Sequence, residues 1–457
     1  MKARFILRLF FSVVALGTLS GQGKSLTVEE AVSLSLASDF RIRGALLDAQ
    51  SAKAKVEEAK LRQLPSVSLS ASYTRLSDLK STVSLGLAKM TIDSLDNVYT
   101  FAANMQYPVF AGFRLQEAVK LADAQVQGKE ISAEMTKRAV AFETERAYWE
   151  AVRATYNVKM LEENLSLMTH NLDMSGKQLS EGTLMNADLL SAQMRADQAA
   201  MEKANGVTVQ TRAFLALASL VSDEGSAILS KDALGLFELS TKPEDSPGAA
   251  TALLSLGSPP DEASLVSAAL SRRPETRGAA IALRIAEGSV RLAKSPLYPS
   301  LNVSGNYTYA DPNPRVAFQS DPALFTGTWT LGVSLSYDLG GLPANLAALD
   351  AQDKGFKKSA EDKNRQNEVV ALDVRNCYLA WDQVSRDIAF VSRMLDQAKE
   401  SERVTKARLD AGTASETDLL SAKLARLRSE FAITNKQIDR QIATADLCRA
   451  AALTDLK

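Results

Sequence analysis

Few side chains in this sequence could do covalent or metal chemistry. It holds one histidine, His170, and two cysteines, Cys377 and Cys448. That is too few donors for a closed zinc site, which takes about four. A Cys377–Cys448 bridge would need Cα atoms within about 7 Å, which spacing does not specify, and a buried free thiol is the commoner state. Glu29-Glu30 and Glu162-Glu163 are adjacent pairs in helical stretches, where neighbours do not share a face. They read as solvated charges, not as an acid–base pair. No nucleophile elbow, Walker loop, HExxH or CxxC motif is present. The expectation is no enzyme, no cofactor and no metal.

Two other carboxylates stand out by context. Asp188 lies in Gly182-Thr183-Leu184-Met185-Asn186-Ala187-Asp188-Leu189-Leu190-Ser191-Ala192. Asp418 lies in Gly412-Thr413-Ala414-Ser415-Glu416-Thr417-Asp418-Leu419-Leu420-Ser421-Ala422, with seven of eleven positions identical at an offset of 230. Gly182 and Gly412 suit the left-handed residue that ends a helix. Asp188 and Asp418 would then sit in the first turn of a return helix, where a carboxylate favours the dipole.

The elements that carry these residues are duplicated too. Residues 43–74 align with 277–308 at an offset of 234, through Arg43-Gly44-Ala45 and Arg277-Gly278-Ala279, Ala59-Lys60 and Ala293-Lys294, Pro65-Ser66 and Pro299-Ser300, and Tyr73-Thr74 and Tyr307-Thr308. Two blocks in the same order at nearly the same offset mark a duplicated half-protein, not a short solenoid repeat. We divide the chain into 1–23, a first repeat 24–221, a Gly/Ser/Pro-rich connector 222–261, and a second repeat 262–457.

Proline placement divides each half. None occurs from Val109 to Lys242 or after Pro343, and both intervals are rich in helix formers. Gly112 to Glu181 is about 70 residues, roughly 105 Å of helix, and Pro343 to Ala411 is similar. Return helices are expected over about Ala187–Val221 and Glu416–Ala451, with coiled-coil-like packing. Thr27-x-x-Glu30 reads as a capping box opening a short helix. A second runs from Phe40 to Leu61, and its duplicate from Glu275 to Ala293, each stopped ahead of proline.

After those stops the period changes from 3.6 to 2. Strands are expected at about 66–76, 97–108, 299–310 and 327–338. Val67, Leu69, Tyr73, Tyr99, Phe101, Tyr107, Leu301, Val303, Tyr307, Trp329, Leu331, Val333, Leu335 and Tyr337 fall on one face. Ser, Thr, Asn and Gly dominate the other, with no Lys or Arg on either alternating set. This is the length and alternation of a membrane-spanning β-strand, with aromatics near the ends. A half-buried sheet in a soluble protein also alternates. The first 23 residues tip the balance. Lys2, Arg4 and Arg8 precede an apolar Leu9–Leu19 and the small residues Gly21-Gln22-Gly23, the form of an export signal. No later run is apolar enough for a transmembrane helix. The formal net charge of -1 argues against nucleic acid.

Four strands cannot close a barrel, and an open edge in lipid leaves backbone groups unpaired at several kcal/mol each. The smallest usual barrel has about eight strands, its interior filled by side chains. Three copies would give about 12 strands and an aqueous lumen.

Taken together, the chain resembles the TolC-like outer-membrane efflux protein family. The resemblance is carried by Arg272-Arg273-Pro274-Glu275-Thr276-Arg277, by Tyr298-Pro299-Ser300-Leu301, by the paired Gly-Thr…Asp-Leu-Leu-Ser-Ala blocks and by the duplicated order of elements. It implies a homotrimer whose four strands per copy share one barrel in outer-membrane lipid, above a long α-helical barrel in the periplasm. The partners it implies are a periplasmic adaptor (a membrane fusion protein) and an inner-membrane transporter of RND, ABC or MFS type. The duct would be passive, serving efflux or type I secretion. By the same resemblance Gly182, Thr183, Asp188, Leu189, Ser191, Gly412, Thr413, Asp418, Leu419 and Ser421 form the periplasmic tip, contacting the adaptor or gating the passage. Some members carry a second acidic residue where this chain has Ser191 and Ser421. The competing class is a soluble periplasmic coiled-coil adaptor or scaffold, which accounts for the export signal and the helices but not for the strands.

Overall fold

The computed structural model describes residues 26–77, 81–85, 88–92, 97–221, 261–313 and 325–453. The expected export signal and nearly all of the expected connector lie outside them. So do parts of the stretches between the expected strands, 77–97 and 310–326.

The described chain forms α1 (Val28–Ser38), α2 (Phe40–Leu61), β1 (Ser66–Arg75), β2 (Ser81–Leu85), β3 (Ala88–Ile92), β4 (Asn97–Ala111), α3 (Arg114–Ser180), α4 (Asn186–Val221), α5 (Glu262–Arg272), α6 (Pro274–Ala293), β5 (Ser300–Asp311), β6 (Thr326–Ser336), α7 (Leu342–Asp410) and α8 (Glu416–Ala451). Two compact units cut across the duplication, each drawing on both halves.

One unit holds 44–133 and 274–367. Its centre is an antiparallel sheet in the order β1-β4-β5-β6, so that β1 and β6 are the outer strands. The β4–β5 pairing joins the two halves, for Ala103 faces Tyr307 and Met105 faces Gly305. A register shift between Pro108 and Phe110 bulges β4 where proline has no N–H to give the ladder. At the β4–α3 turn Gly112 has φ +59, and a Cβ there would collide with the Ser295 carbonyl. Glu117 ties α3 to α6 through Arg291 at 2.7 Å.

Two strand features depart from the sequence reading. β2 and β3 pair as a separate two-stranded sheet between β1 and β4, where the sequence reading placed no strand. β1 also ends in a charged residue, Arg75, which pairs with Asn97 at the last rung and donates to its Oδ1 at 3.3 Å.

The other unit holds 1–43, 134–273 and 368–457. The Thr27 box opens α1 as expected: Glu30 N donates to Thr27 Oγ1 at 3.2 Å, and Thr27 N to Glu30 Oε2 at 3.4 Å. One cluster packs Val28 and Ala31 with Tyr148, Trp149 and Val152 of α3, Leu217 of α4 and Ile438 of α8. A second packs Leu265 and Ala269 of α5 with Val370, Val374 and Cys377 of α7 and Leu447 and Cys448 of α8. α5 was absent from the sequence reading. It ends at Arg273, whose buried guanidinium pairs with Asp373 at 2.7 Å and donates to the Ala450 carbonyl at 3.4 Å. Pro274 then opens α6, where its missing N–H costs nothing.

Candidate functional site

Two places carry the sequence-predicted residues, the sheet in one unit and the two helical hairpins in the other. In the sheet the register sets the apolar residues in rows. Val67 pairs with Met105, Met105 with Gly305 and Gly305 with Leu331. Leu69 pairs with Ala103, Ala103 with Tyr307 and Tyr307 with Trp329. Tyr107, Val303 and Val333 make another row, and Leu301 with Leu335 the next. Tyr73 and Tyr99 face each other at one end, with ring centroids 5.0 Å apart. Phe101 pairs with Tyr309, and Phe325 packs on both. Tyr337 follows the other end of β6 and is exposed. Most of this face is open, Leu69 and Trp329 included.

The alternate rows form the opposite face, in which Ser68 pairs with Asn104, Asn104 with Asn306 and Asn306 with Thr330. Asn306 Nδ2 donates to Asn104 Oδ1, and Ser300 and Ser336 share a hydrogen bond of 2.7 Å. One face is therefore apolar and the other is a network of small neutral polar groups. Such a sheet separates hydrocarbon from water, provided its two outer strands find partners.

The hairpin tips end their outgoing helices in the same way. Gly182 and Gly412 have φ of +75 and +72, a region that costs any residue with a Cβ. Thr183 N donates to Gln178 O at 2.9 Å and Gly182 N to Leu179 O at 3.0 Å. In the second hairpin Thr413 N donates to Arg408 O at 2.8 Å and Gly412 N to Leu409 O at 2.9 Å. This pair of bonds is the Schellman motif. Each threonine hydroxyl donates to the same carbonyl, at 2.9 Å for Thr183 and 3.1 Å for Thr413.

The return helices start differently. Ser415 Oγ accepts from Asp418 N at 3.1 Å, and Asp418 Oδ2 accepts from Ser415 N at 2.9 Å and from Ser415 Oγ at 2.7 Å. The Ser415 amide, and next its hydroxyl, hold the Asp418 carboxyl below the usual carboxylate range. Met185 occupies the matching place in the first hairpin and has no hydroxyl to offer. Asp188 is exposed, and its carboxylate has no hydrogen-bonding partner among the described residues. Ser191 and Ser421 are exposed, and each donates at 2.9 Å to its own helix, to Ala187 O and Thr417 O. Leu419 is buried and Leu189 half-buried. The structure brings the hairpins together just behind the tips, where Leu420 and Leu424 pack on Met168, Ala196 and Ala199.

Sequence reasoning missed the Ser415–Asp418 box, which Ser-x-x-Asp could have signalled. It also missed Arg426, which joins α8 to both outgoing helices. Arg426 reaches Glu402 at 2.6 Å, Glu430 at 2.7 Å and Glu163 at 3.2 Å. The glutamates screened for catalysis have other work, since Glu162 pairs with Lys203 at 3.2 Å and Glu163 with Arg426. Cys377 and Cys448 are buried thiols that are not bridged to one another. Burial, then the carboxylates of Asp446 and Asp373, push the Cys377 thiol up to about 12, and burial, then Glu145, does the same to Cys448. Neither is a nucleophile near neutral pH.

The sequence pattern of a family described as outer membrane efflux protein matches residues 31–222 and 265–453. OprJ, an outer membrane protein of Pseudomonas aeruginosa, is 21% identical over 423 residues, covering 92% of this chain and 82% of OprJ. Among solved structures, the CmeC outer membrane channel of Campylobacter jejuni superposes with a TM-score of 0.75 at 16% identity, over 96% of this chain and 91% of that one. The outer membrane protein VceC of Vibrio cholerae gives a TM-score of 0.72 at 17% identity, over 93% of this chain and 95% of that one. At such identities the structures speak for the fold: long helices with one four-stranded antiparallel sheet per chain.

Proposed function

Because this chain belongs to the outer membrane efflux protein family, and so serves as an outer-membrane channel and not as an enzyme, we propose that three copies close one shared β-barrel through which cargo leaves. Members of the family are the outer-membrane components of tripartite pumps, so an adaptor and an inner-membrane transporter are its partners.

One observation carries the trimeric reading. Among the described residues the sheet is open, with β1 and β6 unpaired at its edges and an exposed apolar face between them. In lipid each unpaired backbone group costs several kcal/mol, so the edges must meet another copy. Four strands per copy preserve antiparallel alternation on closure, since β6 of one copy runs opposite to β1 of the next. Two copies would give about eight strands and a filled interior, three about 12 and an aqueous lumen. The row from Val67 to Leu331 would face lipid, and the Ser68 to Thr330 row the lumen. The Tyr73, Tyr99 and Phe325 rings would sit at one interface and Tyr107 and Tyr337 at the other.

The tips around Gly182 and Gly412 are the proposed adaptor contact and gate, with Asp188 and Asp418 as their carboxylates. Residues 1–23 are read as a cleaved export signal and 222–261 as the connector between the repeats 24–221 and 262–457.

The test is the mass of the detergent-extracted chain by analytical ultracentrifugation, with bound detergent subtracted. Three chain masses are expected. A monomer, or a species soluble without detergent, would overturn the shared barrel.

A further inference from the structure

The sheet meets its helices at a place that neither the strand rows nor the hairpin tips account for. An open cleft of about 1030 Å³ lies there, wholly within the unit that holds 44–133 and 274–367. α2 lines it with Ala54, Glu57, Glu58 and Leu61, whose spacing of three and four residues sets them on one helix face. The first turn of α3 adds Arg114 and Leu115. The sheet contributes its helix-proximal end, where Ser66 pairs with Gln106 and Pro108 with Asn302. Gln106 lies two residues beyond Asn104, and Asn302 four before Asn306, so both belong to the polar face.

The charges that line the cleft are not all alike. Glu57 is paired with Lys60 at 2.8 Å and Glu58 with Arg62 at 2.7 Å, each within α2. Both carboxylates are thereby neutralised one turn away. The Arg114 guanidinium has no hydrogen-bond or ion-pair partner among the described residues, and neither side-chain amide of Gln106 or Asn302 has one. The uncommitted groups of the cleft are therefore one fixed cation and two amides that can donate. Beside them Leu61 and Leu64 are exposed, and Leu115 is half-buried. A concave site with apolar walls and a few converging polar groups is the usual form of a small-molecule site.

We infer that this cleft binds a small amphipathic organic anion, its carboxylate, sulfonate or phosphate on Arg114 and its apolar body along Leu61 and Leu64. Such a head group only accepts hydrogen bonds, and it can take them from the guanidinium and from both amides at once. A cation would meet only carboxylates that already hold one. A neutral apolar solute would cover the leucines and leave the guanidinium without a counter-charge.

The place of the cleft gives the site its use. Its strand residues lie on the face assigned to the lumen, so in a closed barrel it opens into the passage where the strands give way to helices. Each copy would carry one such site, and the barrel three. The rows above it, from Ser68 to Thr330, offer only neutral groups. Arg114 would then be a fixed positive charge met by cargo just before a neutral stretch, and anions with an apolar body would dwell there. This deepens the reading of the chain as an exit duct and rests on it.

Equilibrium dialysis tests the site, with the full chain in lipid nanodiscs and empty nanodiscs as the blank. The probe is 2-naphthalenesulfonate, compared with 2-naphthalenemethanol and 2-naphthylmethylammonium. Expected is saturable binding of the sulfonate at one site per chain, weakened about tenfold by Arg114→Gln and largely kept by Arg114→Lys. The alcohol and the ammonium should bind far more weakly. Ala54→Cys, on the α2 wall, supplies a second readout. It should react with a membrane-impermeant maleimide and be protected by the sulfonate, while the native thiols stay silent because burial pushes them up to about 12. No sulfonate binding above the blank would overturn the inference, as would equal binding by Arg114→Gln or by the ammonium. An Ala54→Cys thiol closed to the maleimide would mean that a neighbouring copy fills the cleft, and would overturn it too. Any of these results with the extracted mass at three copies leaves the shared barrel standing. A monomeric mass would remove both.

Discussion

The two halves of this chain close their long helices with the same atoms and then use their surfaces differently. Gly182 and Gly412 adopt the same left-handed turn, and Thr183 and Thr413 bond the same carbonyl twice. Beyond the turn the halves part. Ser415 engages Asp418 in a capping box, while Met185 leaves Asp188 without one. Arg426 gathers three glutamates, while its duplicate is Ala196. Trp149 is buried, while its duplicate Leu379 is open. Backbone requirements survive duplication because few residues satisfy them. Surface chemistry diverges because each copy of a surface meets a different neighbour.

The largest contrast should lie at Trp149 and Leu379. Trp149→Ala removes a ring packed with Tyr148, Val152 and Ile438 and should lower the opening free energy of α1 and α8 by about 3–5 kcal/mol. Leu379→Ala in a dissociated chain should stay within about 0.5 kcal/mol, as an exposed position does. Hydrogen exchange followed by mass spectrometry reads both. Equal effects of the two substitutions in dissociated chain would erase the distinction between the buried and the exposed copy of this position.

A middle-sized effect is expected at Arg426. Its side chain is only 25% exposed, and its loss leaves Glu402 and Glu163 facing one another across the hairpins without a cation. Partial exposure screens the cost, which should be about 1–2 kcal/mol. A double-mutant cycle between Arg426→Ala and Glu402→Ala isolates the pair. A coupling near zero would mean that the Arg426–Glu402 pair adds nothing to the packing of α8 on α7.

Much of this was legible in sequence wherever one local rule acted alone. Thr27 and Glu30 announced the first helix, Pro65 and Pro299 the switch from period 3.6 to period 2, and Gly182 and Gly412 the two tips. The two faces of each strand followed from alternation, and the register keeps them, because a slip of one residue would turn Val67, Leu69 and Tyr73 to the polar face. What escaped was set by neighbours or masked by weak signals. The β2–β3 pair is short, and its strand pattern was lost in a stretch judged by its position between longer strands. Arg75 continues β1 because Asn97 is there to receive it. The bulge after Pro108 depends on β5. The open faces of α4 and α7 have the same helical periodicity as the buried faces of α8 and α3, so no pattern within one helix could separate them.

The smallest and sharpest contrast is between the return-helix caps. Ser415→Ala should lower the exchange protection of the Asp418 and Leu419 amides about fivefold near neutral pH, the size of an ordinary N-cap. The pH dependence has a definite sign. In the folded tip the Asp418 carboxyl lies below its ordinary value because the Ser415 amide and hydroxyl bind its charged form. Its contribution is therefore complete above the ordinary carboxylate range and is lost as pH falls through the folded value. Protection at these amides, corrected for intrinsic rates, should fall in the parent chain as pH drops below the ordinary carboxylate range. Ser415→Ala should flatten that dependence. Met185→Ser gives the first tip the hydroxyl it lacks and should add protection at the Asp188 amide. If that gain appears, one residue accounts for the difference between the tips. If it does not, the first tip is shaped by something other than its missing cap, and an Asp188 carboxylate left free for a partner becomes the better explanation for methionine at position 185.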